Sequence, residues 1–181
     1  MNRTEALALV ESKITNINLR KHILAVECVM KSLARELKQD EDKWAMAGLL
    51  HDLDYEETKS APERHALATA EMLKDKDLGA DIIDAILAHA DKKPRVTPME
   101  QAIYCADPAT GFLVACALIR PEKKLSAVDV PFARSRMKEK RFAAGANRDA
   151  MNSCSALGMD LDRFLQISLD AMKSISADLG L

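Results

Sequence analysis

What the 181-residue chain lacks sets the first bounds on it. Its four cysteines, Cys28, Cys105, Cys116 and Cys154, are scattered and form no CxxC pair, so neither a thiolate zinc site nor a disulfide framework is indicated. No apolar run approaches the roughly 18 residues of a membrane span. The opening "MNRTEALALVESK" has neither the apolar stretch nor the small-residue cleavage site of a signal peptide. These absences lead to the expectation of a cytoplasmic protein with reduced, buried thiols and no membrane partner. No segment sustains period-two alternation, and repeats and low-complexity tracts are missing as well. With 48% hydrophobic and 30% charged residues, disordered and fibrous classes fall away.

What is present is helical periodicity. Leu19, Ile23, Val26, Met30, Leu33 and Leu37 are spaced alternately by four and three, which puts them on one helix face. Asp40 can cap a next helix carrying Trp44 through Leu53. Ser60 and Glu63 have the spacing of a capping box for a helix reaching about Lys74, with Pro62 in its first turn. Gly79 precedes "ADIIDAILAHA", "DKKPRVTP" reads as a loop, and Thr97 with Pro98 and Glu100 starts another helix. Pro108 should kink or restart that helix. "GFLVACALI" reads as a buried helix ending before Pro121, and a basic helix opens at Asp129 and Pro131 and stops at Gly145. Gly158 and Asp160 separate two final helices. The fold expected is an all-α bundle of about eight or nine helices in a single domain over residues 1–181. Its core spans about 19–118, with a C-terminal helical extension over about 121–181.

Net charge is −2 but unevenly spread. Between Arg120 and Arg148 nine basic residues stand against three acidic ones, so this segment carries +6 and the remainder −8. A basic surface can attract a phosphorylated substrate or nucleic acid. Phe132 and Phe142 are the only aromatics in it, which disfavours nucleic acid held on a stacking platform. A solvated helix face is the plainer explanation.

The chain has four histidines, His22, His51, His65 and His89. His22 falls between Leu19 and Val26, His51 follows Trp44 and Ala47, and His89 follows Ile82 and Ile86. Side chains three, four and seven apart share a helix face, so these imidazoles should point toward the core or its edge. His65, between Arg64 and Ala66, is less defined. Asp52 and Asp107 also adjoin apolar runs. Taken singly, each residue has a duller explanation: a hydrogen-bonded histidine, or Asp107 as a helix cap. Taken together they supply imidazole and carboxylate, which suit zinc, iron, manganese or nickel.

The order His22, His51-Asp52, His65, His89, Asp107 resembles the HD-domain superfamily of metal-dependent phosphohydrolases, all-α bundles named for a His-Asp dipeptide. "RKHILAVECVM" looks like the helix with its first histidine, "GLLHDLD" like its dipeptide motif, and "AIYCADPATGFLVA" like its last motif. The resemblance covers roughly Leu19 to Leu118. "ERHALATAEML" and "ILAHADKKPRV" match the two additional histidines of its dinuclear members. The resemblance implies one or two divalent transition metal ions: one held by His22, His51, Asp52 and Asp107, the other by His65, His89 and a bridging Asp52. It implies attack on phosphorus by water that the metal has acidified, with His51 and Asp52 at the catalytic centre. The nearest architecture is that of dinuclear-iron hydrolases of diadenosine tetraphosphate. The sequence departs from those in the loop after the dipeptide and in Asp107-Pro108, so their substrate is not carried over. Glu56 and Glu57 sit one position later than the acidic pair of the guanosine tetraphosphate hydrolase branch.

The function expected is therefore hydrolysis of a small phosphorylated molecule, a nucleotide in particular. The alternative is a non-catalytic metal-containing sensing or binding module. Lys92, Lys93 and Arg95 in the loop after His89, with Lys140 and Arg141 in the basic segment, are the candidate phosphate binders.

Overall fold

A computed structural model describes residues 1–181. The chain forms α1 (Arg3–Lys13), α2 (Ile17–Glu36), α3 (Glu41–Leu50), α4 (Tyr55–Thr58), α5 (Leu67–Leu73), α6 (Ala80–His89), α7 (Pro98–Leu118), α8 (Val130–Met137), α9 (Arg148–Asn152), α10 (Leu161–Ser174) and α11 (Ser176–Leu179). There are no strands, and α4, α9 and α11 span five residues or fewer.

The heart of the bundle is α2, which packs against α3, α7 and α10, while α6 lies against α7 and α3. Ile23, Val26, Met30 and Leu33 of α2 are fully buried, as are Leu49 and Leu50 of α3, Ile86 of α6 and Phe112 of α7. Burying side chains of this size contributes about 1.5–3 kcal/mol each, and one continuous apolar cluster results. Gly48 sets the closest approach within it. A Cβ there would stand 2.9 Å from Glu27 Cα and from the Val26 carbonyl oxygen, so any larger residue would push α3 off α2.

The caps form largely as the sequence implies. Asp40 accepts from Asp42 and Lys43 amides, and Thr97 and Glu100 complete a reciprocal capping box. Three expectations are corrected. Ser60 and Glu63 make no capping box: Pro62–Arg64 is a single 3-10 turn without a side-chain cap, and the α-helix waits until Leu67. Pro108 does not interrupt α7, which runs unbroken from Pro98 to Leu118. Buried Ala102, Ile103, Phe112 and Leu113 pin it on both sides of the proline, outweighing a cost of about 3 kcal/mol. The basic helix ends at Met137, well before Gly145. Beyond it the carbonyls of Phe142, Ala143 and Ala146 accept from the Arg148 guanidinium rather than from a helical ladder.

Cys105, Cys116 and Cys154 are buried and Cys28 is partly so, all unpaired. Burial pushes the Cys116 thiol up to about 12, so it is unreactive at neutral pH. By length and composition α7 could cross a membrane, but 56% of its apolar window lies buried inside the bundle.

Candidate metal centre

Four helices and one irregular segment bring the six candidate ligands to a common point. His22 comes from the second turn of α2, His89 ends α6, and Asp107 lies midway along α7. His51 is the residue at which α3 stops, and Asp52 begins the turn after it. His65 is not helical, contrary to the sequence reading. It is extended (φ −56°, ψ 140°) after the 3-10 turn, and Ala66 follows at φ +65°. An alanine in that region is strained, and the fully buried Ala66 is held there by its packing. The kink turns the His65 imidazole inward.

Asp52 stands at the centre. Its Oδ2 lies 3.6 Å from His22 Nε2 and 3.5 Å from His51 Nε2, while its Oδ1 lies 3.5 Å from His65 Nε2 and 3.7 Å from His89 Nε2. Asp107 joins the Oδ2 side, its Oδ1 standing 3.1 Å from His22 Nε2 and 3.9 Å from His51 Nε2. Ligand atoms of His22, His51 and Asp107 lie within 4.8 Å of one another, as do those of His51, Asp52 and His89.

The outward nitrogens fix the tautomers. His51 Nδ1 meets the Gly48 carbonyl at 2.8 Å, and His89 Nδ1 meets the Ile86 carbonyl. A carbonyl only accepts, so both Nδ1 atoms carry the proton. His65 Nδ1 donates to Asp54 Oδ1 at 2.8 Å. Thr110 gives its hydroxyl proton to the Asp107 carbonyl and accepts from His22 Nδ1 at 3.0 Å. In the neutral ring form all four therefore turn an Nε2 lone pair onto the two carboxylates; burial opposes protonation of His22 and His89, but hydrogen bonds to Asp107 and Asp52 overcome it and raise both.

That arrangement fits a divalent transition metal. His51 Nε2 is buried with no hydrogen-bond partner, a condition costing about 1–3 kcal/mol in a site without a ligand. His65 and His89 face each other through Nε2 atoms 3.2 Å apart, two lone pairs that repel unless something positive lies between them. Burial holds the His51 imidazole down at about 4, in the neutral form a metal requires. For Asp52, burial favours the acid, but the imidazoles of His51, His89 and His22 outweigh it and hold the carboxyl well below its ordinary range. For Asp107, burial likewise opposes ionisation and His22 overcomes it.

Three supporting residues escaped the sequence reading. Asp54 is fully buried; besides holding His65, its Oδ2 accepts from the Thr69 amide at 2.9 Å, and its own amide donates to Thr69 Oγ1 at 3.1 Å. Thr110 is also fully buried. No spacing rule marks any of the three, because each serves one histidine through the tertiary fold. Glu56 turns away from the centre and accepts from the amides of Thr15 and Asn16, tying the α1–α2 turn down. Glu57 is exposed.

None of the five candidate phosphate binders lines the cavity over the centre, which measures about 680 Å³. Lys92 donates to the Glu63 carbonyl, Lys93 pairs with Glu100 and Asp84, and Arg95 pairs with Asp91 and lies over the Tyr104 ring. Lys140 and Arg141 are exposed.

An all-helical bundle whose histidines converge through Nε2 on two carboxylates has the donor set of a metal centre. A family model described as HD domain matches residues 19–109. The chain belongs to the HD domain family, and with it to the metal-dependent phosphohydrolase superfamily. It is also similar to ribonuclease Y of Nitratidesulfovibrio vulgaris (strain DP4), with 35% identity over 94 residues. Ribonuclease Y of Oleidesulfovibrio alaskensis is 31% identical over the same length. The matched stretch is 52% of this chain and 18% of each relative, so the chain spans less than a fifth of the relatives' length.

Proposed function

We propose that this chain is a metal-dependent phosphohydrolase acting on a small phosphorylated molecule, a nucleotide. The observation that carries this reading is the set of four histidines with Nδ1 committed outward and Nε2 turned onto Asp52 and Asp107. His22, His51, Asp107 and Asp52 Oδ2 would hold one divalent cation, and His65, His89 and Asp52 Oδ1 a second. Bound there, such ions polarise a phosphoryl oxygen and acidify water.

The chain's own contribution is preorganisation. Asp52 is 7% exposed and His51 is fully buried, so charge in the centre acts in a poorly screened environment. Side chains fixed by backbone carbonyls need no rearrangement when substrate arrives. Asp107, 34% exposed at the mouth, is the ligand nearest solvent. The relatives named ribonucleases act on RNA, a polymer of phosphate-linked nucleotides, and this supports a nucleotide substrate.

The test is metal analysis of protein purified without a histidine tag, followed by a panel of phosphoesters and nucleotides on the manganese-, iron-, nickel- or zinc-loaded form. The reading expects stoichiometric transition metal and turnover of at least one nucleotide. Absence of tightly bound metal together with no hydrolysis by any loaded form would overturn it.

A further inference from the structure

His65 and His89 come from unlike stretches of chain, yet their Nε2 atoms stand 3.2 Å apart. Two imidazole nitrogens bound to one zinc-sized ion at about 2.0–2.1 Å and a tetrahedral angle are about 3.3 Å apart, so the spacing suits a shared cation. His89 takes its place from α6. His65 has no such support, because none of Pro62, Glu63 and Arg64 in the turn before it is buried and no side chain caps that turn. Asp54 holds the His65 ring through Nδ1, which sets its rotation and leaves the backbone of the turn to be placed by another group.

The loop after His89 supplies that group. The chain leaves α6 through a left-handed closure: the Lys92 amide donates to the Leu87 carbonyl at 2.9 Å and the Asp91 amide to the Ala88 carbonyl at 3.3 Å, with Asp91 at φ +58°. Aspartate visits that region more readily than most residues. Arg95 locks the closure by donating to both the Asp91 carboxylate and the Ala88 carbonyl. The Lys92 backbone is therefore fixed three residues past His89. From there its Nζ donates to the Glu63 carbonyl at 2.8 Å and lies 3.5 Å from the Pro62 carbonyl, which also accepts from the His65 amide at 3.2 Å. A single side chain thus ties the end of the His89 helix to the turn that carries His65.

We infer that Lys92 is a positioning residue that sets the distance between His65 and His89, and through it the fit of the ion they share, rather than a contact to substrate phosphate. The inference rests on the assignment of His65, His89 and Asp52 Oδ1 to one cation under the phosphohydrolase reading. Charge alone would act with the opposite sign: an ammonium near the centre repels a bound cation, so its removal would tighten binding.

The test is calorimetric titration of the metal-stripped full chain with manganese, on wild type, Lys92→Met, Lys92→Arg and Lys93→Met. Lys93→Met removes the same charge from the neighbouring position, where the ammonium pairs with Asp84 and Glu100 and makes no bond to the His65 turn. Lys92→Met should weaken the Oδ1 ion about tenfold, the lower end of what loss of an outer hydrogen bond does to a metal site. The Oδ2 ion and the unfolding midpoint should not move. Lys92→Arg keeps a donor on a long stem and should recover most of the loss, and Lys93→Met should leave both ions as they were. Unchanged or tighter binding in Lys92→Met, or an equal loss in Lys93→Met, would overturn the inference. So would a raised KM for nucleotide at unchanged metal affinity, which would make Lys92 a phosphate contact. The expected affinities without hydrolysis of any nucleotide would overturn the phosphohydrolase reading and leave Lys92 its role. A wild type that binds no manganese would overturn both.

Discussion

His22 and Asp107 ride on helices of 20 and 21 residues and His51 closes a third helix, whereas His65 hangs from one extended residue between a 3-10 turn and the seven-residue α5. The Asp52 Oδ2 side of the centre is thus assembled by the packing of long helices. On the Oδ1 side, only His89 shares that support, and His65 depends on the buried carboxylate of Asp54. The two proposed donor sets, two imidazoles with both carboxylates on one side and two imidazoles with Asp52 alone on the other, therefore rest on different sources of order. One is part of the core that folds the protein; the other is attached to it by a polar clasp. The helical position should hold its ion more tightly, and the clasped one should be lost first.

Substitutions at graded distances from Asp52 break this comparison in different places. Asp52→Ala removes the group both sides share, and is expected to abolish binding of both ions and bring turnover to background, by metal analysis and assay. His65→Ala should remove one ion and leave the other bound, whereas His51→Ala, on the helical side, should cost the tighter ion. Asp54→Asn retains size but sets an amide where the Thr69 amide and His65 Nδ1 both donate. A loss of about 10–100-fold in affinity is expected for the Oδ1 position alone, by metal titration. Thr110→Val, its counterpart at His22, should weaken only the Oδ2 position and toward the lower end of that range, because two further ligands there stay fixed by helices.

The smallest effect on the centre is expected from Glu100, which caps the helix carrying Asp107. Its carboxyl is 2% exposed, and although burial favours the acid, Lys93 and the amides of Thr97 and Val96 hold it down at about 2. A carboxylate depressed from an ordinary value of 4.5 stabilises the fold above that pH. The contribution is lost as pH falls from about 4.5 toward 2. Glu100→Gln should cost about 2 kcal/mol at pH 7, read by denaturant unfolding, and flatten stability over that acid range. Metal stoichiometry should not change.

Helical spacing placed three of the histidines toward the core, and the resemblance to the HD-domain superfamily supplied the set of six, His22, His51, Asp52, His65, His89 and Asp107, that the fold brings together. The local path of His65 was not legible. "SAPERHALA" has good helix formers on both sides, and only the pull of Asp54 and Thr69 explains why the chain leaves the helix there. The persistence of α7 through Pro108 was hidden for a related reason: propensity counts a lost hydrogen bond, while the packing that compensates lies elsewhere in the chain. The candidate phosphate binders were chosen by charge and proximity in sequence. In the fold, Lys93 and Arg95 find carboxylates and Lys92 finds a carbonyl before they reach the cavity, a competition that depends on three-dimensional neighbours.

The central claim is that Asp52 divides one cluster into two unequal ion positions. Calorimetric titration of metal-stripped protein with manganese tests it most directly, on the wild type and on His65→Ala side by side. Two ions per chain with distinct affinities in the wild type, and retention of only the tighter one in the variant, is the predicted result. A single ion in both proteins with the same affinity would contradict it.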